Sequence, residues 1–546
     1  MVGESGYRNL EFMCEPGGEI VGEAINATHL ARTTVRSLLE MGVNTFVLSP
    51  GSRNAPLSIA LYEAEQRGLI SLHTKIDERG AAFFALGIAK ASNNYVAVVC
   101  TSGTAAANYH PAILEAHHSK NKLLVMTADR PQRLRGTGAN QTTNQTNLFG
   151  DIKSHDISAP IELTSLFTGG PVHLNIQFDE PLLSSDSSDW LAGLQINSIP
   201  ESTSSSQKLE IAGKTVVVIG HDSGTFTAKA IHETLSGIRI PVIAEDPLSH
   251  PASLAHASLF LADEGVREKL KADHVIVIGR TTLSRSINSF ISSAVRTTVI
   301  DPRLENIDTH RLADNKFLAL PEMHGDIDAV FFDLWKSASQ AAHSELHNQQ
   351  SFSEQSAVTT IAENIPAGSA LFIGSSRPIR DIEGFSSPRS GIKTFANRGL
   401  AGIDGNISTA LGIAQCATPA YAILGDITFL HDIGALISVE KSDLTVFVID
   451  NNGGGIFSTL PQAGVAGFEK LFGTPHNLDI EKVVGGFGVQ VERVKSSSDI
   501  LRIINENKSG VRVVIVEVPV REKMAAELKN IYQKVSSAVR IGLNLA

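Results

Sequence analysis

The sequence predicts an α/β protein built from three consecutive, doubly wound parallel-sheet domains. Its 546 residues are too many for a single hydrophobic core and are typical of about three domains. Short apolar runs, each long enough for one buried strand, alternate along the chain with stretches of helical periodicity. This alternation is typical of parallel sheets that carry helices on their faces.

The predicted elements follow the same order in each domain. The first has a helical pattern at residues 27–40 and strand-like runs at 45–48, 96–100 and 123–126. The second and third domains repeat the pattern. Their strand-like runs are at residues 215–219, 274–278 and 297–300, and at 370–373, 420–424, 444–449 and 511–518.

Two polar stretches predict where the domains meet. Residues 184–208 and 337–356 are poor in large apolar side chains, as interdomain linkers are. Residues 1–24 contain glycines and acidic side chains and predict a flexible N-terminal extension. The domains are therefore expected at residues 25–190, 209–336 and 357–546.

Composition excludes several classes of protein. A hydrophobic fraction of 42% with 19% charged residues is that of a globular enzyme and not of a disordered chain. The net charge of −11, with scattered lysines and arginines, argues against a nucleic-acid or membrane partner. Cys14, Cys100 and Cys416 lie far apart, which disfavours disulfides and structural zinc. With no secretory signal or apolar span, a cytoplasmic location is expected.

Two short strings follow neighbouring strand-like runs in the third domain. Gly425-Asp426 comes after the run at 420–424, and Asn451-Asn452-Gly453 after the run at 444–449. The residues between them leave room for a crossover helix at roughly 432–441. A carboxylate, an amide oxygen and a backbone carbonyl at adjacent strand ends suit magnesium that carries a diphosphate. The alternative is that both strings are ordinary turns that close strands.

Longer strings elsewhere carry a family resemblance. Together they resemble the thiamin diphosphate-dependent decarboxylase superfamily and, within it, the MenD family of menaquinone biosynthesis. The resemblance covers about residues 27–520. The strings are SPGSRNAP (49–56), DERGAAFFALGIAK (77–90), TSGTAAAN (101–108), TADRP (127–131), GANQ (138–141), NRGLAGIDG (397–405) and NNGGGIF (451–457).

The resemblance implies a fold, a cofactor and a reaction. It implies that the first domain binds the pyrimidine, that the second is a central domain, and that the third binds the diphosphate and magnesium, all of the decarboxylase type. The cofactors are thiamin diphosphate and Mg²⁺, with Mn²⁺ as an alternative ion. The enzyme is a transferase that decarboxylates 2-oxoglutarate and adds the resulting succinyl-semialdehyde carbanion equivalent to isochorismate in a Stetter-like reaction. The protein then supplies binding, orientation and electrostatics to the cofactor.

Glu78 is the predicted catalytic residue. It opens a nearly all-apolar helical stretch at 81–89, and the resemblance implies that its carboxyl bonds N1′ of the aminopyrimidine. The alternative is that Asp77 and Glu78 only stabilise a helix N-terminus. Thr101 and Gly103, which precede a helical stretch at 105–116, are expected near the pyrimidine, although a simple N-cap fits them equally.

The resemblance places the other cofactor residues in the third domain. Asp426 and Asn451 are expected to bind the metal by their side chains and Gly453 by its carbonyl. Ile403 matches the aliphatic residue that lies under the bent cofactor. The remaining cofactor residues are Gly425, Ile427, Ile456 and Phe457.

Anionic substrates require arginines, because guanidinium groups bind carboxylates through two hydrogen bonds. Four arginines are predicted to lie in glycine-, proline- or serine-bearing loops after strands, where an anion pocket is a better explanation than four unrelated surface charges. The predicted substrate residues are Ser52, Arg53, Arg130, Gln141, Ser376, Arg380 and Arg398. Arg285 stands where the family has a basic pair, but Ser286 follows it, so one carboxylate contact is expected to be missing.

A second departure from the family lies at residues 159–168, which are too few for the usual three-turn helix and its loops. The resemblance also implies a homodimer, or a homotetramer made of two dimers, with each site shared between subunits. Two alternatives stay open. One is another carboligase or decarboxylase of the superfamily, such as a relative of acetolactate synthase or oxalyl-CoA decarboxylase. The other is a catalytically inactive cofactor-binding protein.

Overall fold

A computed structural model describes residues 26–197, 207–222, 226–303, 307–308, 313–325, 327–348, 351–439, 442–506 and 509–545. The expected N-terminal extension lies outside the described residues. Three large parallel sheets follow one another along the chain, with six, five and six strands. The predicted fold class is therefore confirmed.

The first sheet has the strand order β2-β1-β3-β4-β6-β5. Every strand pair in it is parallel. Helices join the first four strands in chain order, whereas the last two connections contain only 3₁₀ turns. Its strands are β1 Thr45–Leu48, β2 Ser71–Thr74, β3 Val96–Cys100, β4 Leu123–Asp129, β5 Ser154–Ile157 and β6 Val172–Gln177. Its helices are α1 Ala27–Glu40, α2 Ala55–Gln66, α3 Glu78–Ser92, α4 Thr104–Asn108 and α5 His110–Ser119.

The central sheet has the order β12-β11-β10-β8-β9, and β13 pairs with β7 beside it. The strands of this five-stranded sheet and of the separate β7–β13 pair are β7 Lys208–Glu210, β8 Thr215–Ile219, β9 Val242–Ala244, β10 His274–Ile278, β11 Arg296–Ile300, β12 Ala313–Phe317 and β13 Glu322–His324. The helices here are α6 Ala228–Leu235, α7 Ala257–Phe260, α8 Glu264–Lys269, α9 Arg285–Ser292 and α10 Ala329–His347.

The third sheet has the order β15-β14-β16-β17-β19-β18. Its strands are β14 Ala370–Ile373, β15 Lys393–Phe395, β16 Ala420–Gly425, β17 Leu444–Asp450, β18 Gln490–Val494 and β19 Val511–Glu517. Its helices are α11 Glu354–Asn364, α12 Arg377–Phe385, α13 Asn406–Ala414, α14 Asp426–His431, α15 Ile480–Gly485, α16 Ser497–Asn505 and α17 Arg521–Gly542. Because β16 and β17 are neighbours, their carboxyl ends lie side by side, as the sequence predicted.

Three local predictions are wrong. The stretch 337–356 is not a linker, because α10 runs to His347 and buries Trp335, Ala338 and Ala342 against the C-terminal helix α17. The crossover predicted at 432–441 is instead the short helix α14, which begins at Asp426, followed by a 3₁₀ turn at Ile433–Ser438. The helical stretch after Gly103 is interrupted at Tyr109 and forms α4 and α5.

The first and third domains meet where α3 crosses α13. A Cβ added to Gly87 would lie 2.1 Å from the carbonyl oxygen of Thr409, and one added to Gly412 would lie 2.1 Å from that of Phe84. Only glycine permits so close an approach of two helix backbones. The residues of α3 from Gly80 to Ala89 are all buried, as its apolar sequence predicted.

Two further expectations concern the edges of the fold. Between residues 159 and 168 the structure forms only the 3₁₀ turn Thr164–Leu166, so the missing helix is confirmed. Within the described residues, no helix is long and apolar enough to cross a bilayer. The cytoplasmic location stays a prediction.

Candidate active site

A cleft of about 700 Å³ opens at the carboxyl edge of the third sheet. It brings together nine predicted site residues that are far apart in sequence. These are Ser376, Ile403, Gly425, Asp426, Ile427, Asn451, Gly453, Ile456 and Phe457. Ligands in parallel α/β sheets bind at this edge, because strand ends and the loops that follow them converge there.

Asp426 joins the ends of two strands. Its side chain is only 2% exposed. One carboxylate oxygen accepts the backbone N–H of Ile427 at 2.6 Å, and the other accepts that of Gly453 at 2.8 Å. Gly453 has φ of +135°, and a Cβ there would lie 2.2 Å from the carbonyl oxygen of Gly473. A glycine is therefore required for this loop to reach the carboxylate.

Asn451 has a buried side-chain oxygen that is free to take a ligand. Its Nδ2 donates to the carboxylate of Glu354, whereas Oδ1 has no hydrogen-bond partner among the described residues. A buried amide oxygen without a partner costs free energy. Its position beside Asp426 in the cleft fits a hard cation such as Mg²⁺, which binds carboxylate and amide oxygens.

A second group of potential ligands shares Asp426. Ligand atoms of Asp426, Asp450 and His476 lie within 4.8 Å of one another. The Nε2 atom of His476 is 3.3 Å from Asp426 Oδ2, and the bond to that carboxylate raises the pKa of His476. Imidazole is a poor ligand for Mg²⁺. Asn451 therefore fits this ion better than His476 does.

Three charged residues of the cleft were missed from the sequence. Glu354 is 5% exposed, and burial raises its pKa, although Arg377 and Asn451 oppose this shift. Arg377 binds Asp381 and lies 3.9 Å from Glu354. The sequence did not point to Glu354, because the polar stretch around it predicted a linker. Arg377 could have been found from its position between the predicted residues Ser376 and Arg380.

The predicted first-domain residues form a second cluster around the loop after β3. Gly103 has φ of +84° and donates its N–H to Gln145 at 2.9 Å. Arg130 donates to Ser102 Oγ at 3.0 Å and to the carbonyl oxygen of Gln141 at 2.9 Å. The side chain of Gln141 returns a bond to the carbonyl oxygen of Ser102 at 2.9 Å.

The positive charges of two arginines in this cluster act on each other. The backbone N–H of Arg53, which follows Ser52, donates to Thr101 Oγ1 at 3.3 Å, and its guanidinium lies 3.1 Å from Glu180. Burial and then the charge of Arg53 lower the pKa of Arg130. Two adjacent guanidinium groups repel each other, and an anion between them removes this repulsion. The cluster is therefore suited to a carboxylate.

Glu78 is the first residue of α3 and is half-buried. Asp77 caps the helix by accepting the N–H of Arg79 at 3.1 Å. Burial raises the pKa of the Cys100 thiol, and the nearby charge of Glu78 adds to this shift. The carboxylate is therefore close enough to the end of β3 for its charge to act on Cys100. Glu78 does not line the cleft of the third sheet within one chain.

The remaining predicted arginines differ in their surroundings. Arg380 donates to the carbonyl oxygen of Ser376 at 2.5 Å, and burial, followed by the charge of Arg377, lowers its pKa. Arg398 is 3% exposed and forms a salt bridge with Glu245 at 2.9 Å. Arg285 begins α9 and is exposed. The sequence did not reveal that a central-domain carboxylate already pairs with Arg398.

Comparisons with known proteins add independent observations. A family model for the N-terminal domain of thiamine pyrophosphate enzymes, which binds this cofactor, matches residues 28–148. The model for the C-terminal cofactor-binding domain matches residues 380–518. Both clusters described above lie in or beside these regions. The chain thus contains the two thiamin diphosphate-binding domains of such enzymes.

Curated relatives match nearly the whole chain. Each is named 2-succinyl-5-enolpyruvyl-6-hydroxy-3-cyclohexene-1-carboxylate synthase. The relative from Nocardioides sp. is 36% identical and the alignment covers 90% of this chain and 94% of the relative. The relative from Saccharopolyspora erythraea is 35% identical, with 95% and 99% covered. That from Thermobifida fusca is 35% identical, with 94% and 100% covered. This chain belongs to the 2-succinyl-5-enolpyruvyl-6-hydroxy-3-cyclohexene-1-carboxylate synthase family.

A solved structure agrees with the fold expected of this synthase family. Benzoylformate decarboxylase from Polynucleobacter necessarius superposes with a TM-score of 0.64 at 15% identity, covering 90% of this chain and 99% of the other. At that identity the likeness concerns the fold alone. Membership of the synthase family rests on the curated relatives.

Proposed function

We propose that the protein is a thiamin diphosphate- and Mg²⁺-dependent synthase. It decarboxylates 2-oxoglutarate and adds the resulting succinyl unit to isochorismate, which yields 2-succinyl-5-enolpyruvyl-6-hydroxy-3-cyclohexene-1-carboxylate and CO₂. The membership of the synthase family carries this proposal. Support comes from a cleft that gathers the predicted cofactor residues at one sheet edge.

The third domain would hold the diphosphate end of the cofactor. Asp426, the free Oδ1 of Asn451 and the carbonyl of Gly453 would bind Mg²⁺, or Mn²⁺ in its place. Gly425 and Ile427 would border the diphosphate. Ile403, Ile456 and Phe457 line the same cleft and would form its apolar wall. Thiamin diphosphate supplies the electron sink for loss of CO₂ and for carbon–carbon bond formation.

Glu78 would hold a proton at N1′ of the aminopyrimidine, and Thr101 and Gly103 would border this ring. A carboxyl group that is partly shielded from water at the head of a buried helix is suited to sharing a proton with a ring nitrogen. Since Glu78 does not line the cleft of its own chain, we propose that it acts in the site of a second subunit. The competent unit is then a homodimer, alone or within a homotetramer.

The substrate carboxylates would be bound from two sides. Arg53, Arg130 and Gln141, with Ser52 beside them, form the first-domain group. Ser376, Arg380 and Arg398 form the third-domain group. Arg285, exposed at the start of α9, would add one weaker contact. An apolar wall between these groups would favour loss of CO₂ by removing water from the reacting carboxylate.

The test is a reconstitution with purified protein. Protein, thiamin diphosphate, Mg²⁺ and 2-oxoglutarate are mixed, and the ultraviolet absorbance of added isochorismate is followed. We expect its loss to require every component. Slow CO₂ release from 2-oxoglutarate or pyruvate without loss of isochorismate would instead indicate another carboligase of the superfamily. No reaction at all, with measurable cofactor binding, would indicate a catalytically inactive protein.

A further inference from the structure

Residues 397–405 form a loop between β15 and α13, called here the Arg398 loop. It carries Ile403, which lines the cleft, and Arg398, a predicted substrate residue. Gly399, Gly402 and Gly405 give the loop unusual conformational freedom, which must be removed before its side chains can act. Asn406 of its own domain bonds to the loop backbone, and two buried carboxylates from the other two domains bond to it as well.

Glu115 on α5 fixes the loop from the first domain. Its side chain is 3% exposed. One carboxylate oxygen accepts the N–H of Gly399 at 2.9 Å and the other accepts the N–H of Leu400 at 2.7 Å. A Cβ at Gly399 would lie 2.7 Å from the carbonyl oxygen of Glu115, so only glycine fits here. Lys90 adds a bond to the carbonyl oxygen of Ala396 at 3.2 Å.

Glu245 fixes the loop from the central domain. It directly follows β9 and is 1% exposed. Its carboxylate accepts the backbone N–H of His221 at 3.0 Å and of Leu283 at 3.1 Å. The same carboxylate accepts hydrogen bonds from Nε and Nη2 of Arg398 at 2.9–3.3 Å. The Nε/Nη2 edge of Arg398 is thereby occupied, and Nη1 is left as the donor for a ligand.

We infer that Glu115 and Glu245 are positioning residues of the synthase site. Glu115 sets the backbone that presents Ile403 to the cofactor, and Glu245 turns Arg398 so that Nη1 faces the substrate carboxylate. The role of Glu245 and Arg398 toward the substrate rests on the proposed function. The role of Glu115 toward the loop and the cofactor rests only on the contacts of Glu115 and on the presence of the cofactor-binding domains.

The Glu115 part is tested by hydrogen exchange and cofactor binding. In wild type, the amides of Gly399 and Leu400 should exchange slowly. Glu115→Gln, whose amide can accept at only one atom, should speed exchange in residues 397–405 about tenfold and weaken thiamin diphosphate binding by a similar factor. Glu115→Asp, which keeps the charge but is too short to reach both amides, serves as the second variant.

Glu63→Gln is the matched control, because Glu63 is also a first-domain carboxylate in an ion pair, with Arg32 at 2.9 Å, and does not contact the loop. It should leave loop exchange and cofactor affinity unchanged. Fast exchange of the Gly399 and Leu400 amides in wild type would overturn the inference. So would a Glu115 variant that matches Glu63→Gln in both measurements.

The Glu245 part is tested by a double-mutant cycle. Glu245→Gln should raise the KM for 2-oxoglutarate about tenfold with a smaller change in thiamin diphosphate affinity. Because Glu245 acts through Arg398, the double variant Glu245→Gln/Arg398→Gln should match Arg398→Gln alone. Additive losses would overturn this part. An inactive wild type that binds cofactor would reject the proposed function, while the exchange and binding measurements would still decide the role of Glu115.

Discussion

Among the described residues, the side-chain amide of Asn451 has a hydrogen-bond partner at its nitrogen but not at its oxygen. Its Nδ2 is bound to Glu354, which fixes the orientation of the amide and leaves Oδ1 available to the proposed metal ion. Asp450, the residue before Asn451, lies 3.6 Å from Arg493 and 3.7 Å from His476 Nε2, and it accepts the N–H of Asn452. A buried oxygen without a partner is the stronger sign of a ligand.

Asn451→Ala is therefore expected to weaken Mg²⁺-dependent cofactor binding by about 10- to 100-fold, because one of few protein ligands is lost. Asp450→Asn is the matched control and should change this affinity by less than about threefold. Magnesium titration of thiamin diphosphate binding by calorimetry measures both. If Asp450→Asn has the larger effect, the metal is bound by the group of Asp426, Asp450 and His476.

Glu78→Gln is expected to lower turnover by roughly 10²–10⁴-fold while cofactor binding stays measurable, since the loss concerns proton transfer and not the metal site. Asp77→Asn is the control, because it alters the neighbouring helix cap but keeps the carboxyl group of Glu78. Steady-state rates and cofactor titrations separate the two effects. Activity of Glu78→Gln within about threefold of wild type would contradict the assignment.

For individual residues, the sequence predicted which side chains line the cleft but not which partners they bond to. Nine predicted residues do line it, because their strings follow strands whose order could be anticipated. Glu245, which pairs with Arg398, lies 153 residues away in another domain. Such a pairing depends on how domains pack and leaves no local pattern.

The helix α12 shows how one element carries both site residues and buried charge. It begins after Ser376 and bears Arg377, Arg380, Asp381 and Glu383. Burial, followed by the charge of Glu245, raises the pKa of Glu383 to about 8. Burial also raises the pKa of Asp381 to about 7. Both acids thus bind protons more tightly in the folded protein than in the unfolded chain.

Stability should consequently fall as pH rises. The unfolded pKa of a glutamate is about 4.3, so between this value and about 8 the folded protein holds the extra proton, and its stabilising effect is lost over that range. Glu383→Gln stays uncharged and should reduce the drop in melting temperature between pH 5.5 and 8.5 by a few degrees. Glu363→Gln, on the exposed side of the neighbouring α11, is the control. Equal pH dependence in all three proteins would contradict this account.

Elements were predicted best where their side chains are large and apolar. The strands at 45–48, 96–100, 215–219, 274–278 and 370–373 have the predicted bounds. The second half of α10 was predicted to be part of a linker, because the side chains it buries, Ala338 and Ala342, are small and stand among polar residues. Its partner α17 comes from the far end of the chain, so the packing that selects this helix is not local.

Buried contacts between helices join the three domains of the molecule. The first and third domains meet at α3 and α13, whose glycines allow backbone contact. The C-terminal helix α17 leaves the third domain and packs on α10 of the central domain. Yet within one chain the cleft with Asp426 is not lined by Glu78. Two halves of one active site are therefore expected to come from two subunits.

Mixing Glu78→Gln with Asn451→Ala, at a thiamin diphosphate concentration too low to activate Asn451→Ala, tests this arrangement. If Glu78 of one subunit serves the Asp426 cleft of its partner, a heterodimer of Glu78→Gln and Asn451→Ala subunits has one site with both defects and one intact site. Random pairing makes half of the dimers heterodimers, so co-expression should restore about a quarter of wild-type activity. If each chain used its own Glu78, every site in the mixture would carry one defect. The mixture would then be no more active than the separate variants, and the shared-site proposal would be wrong.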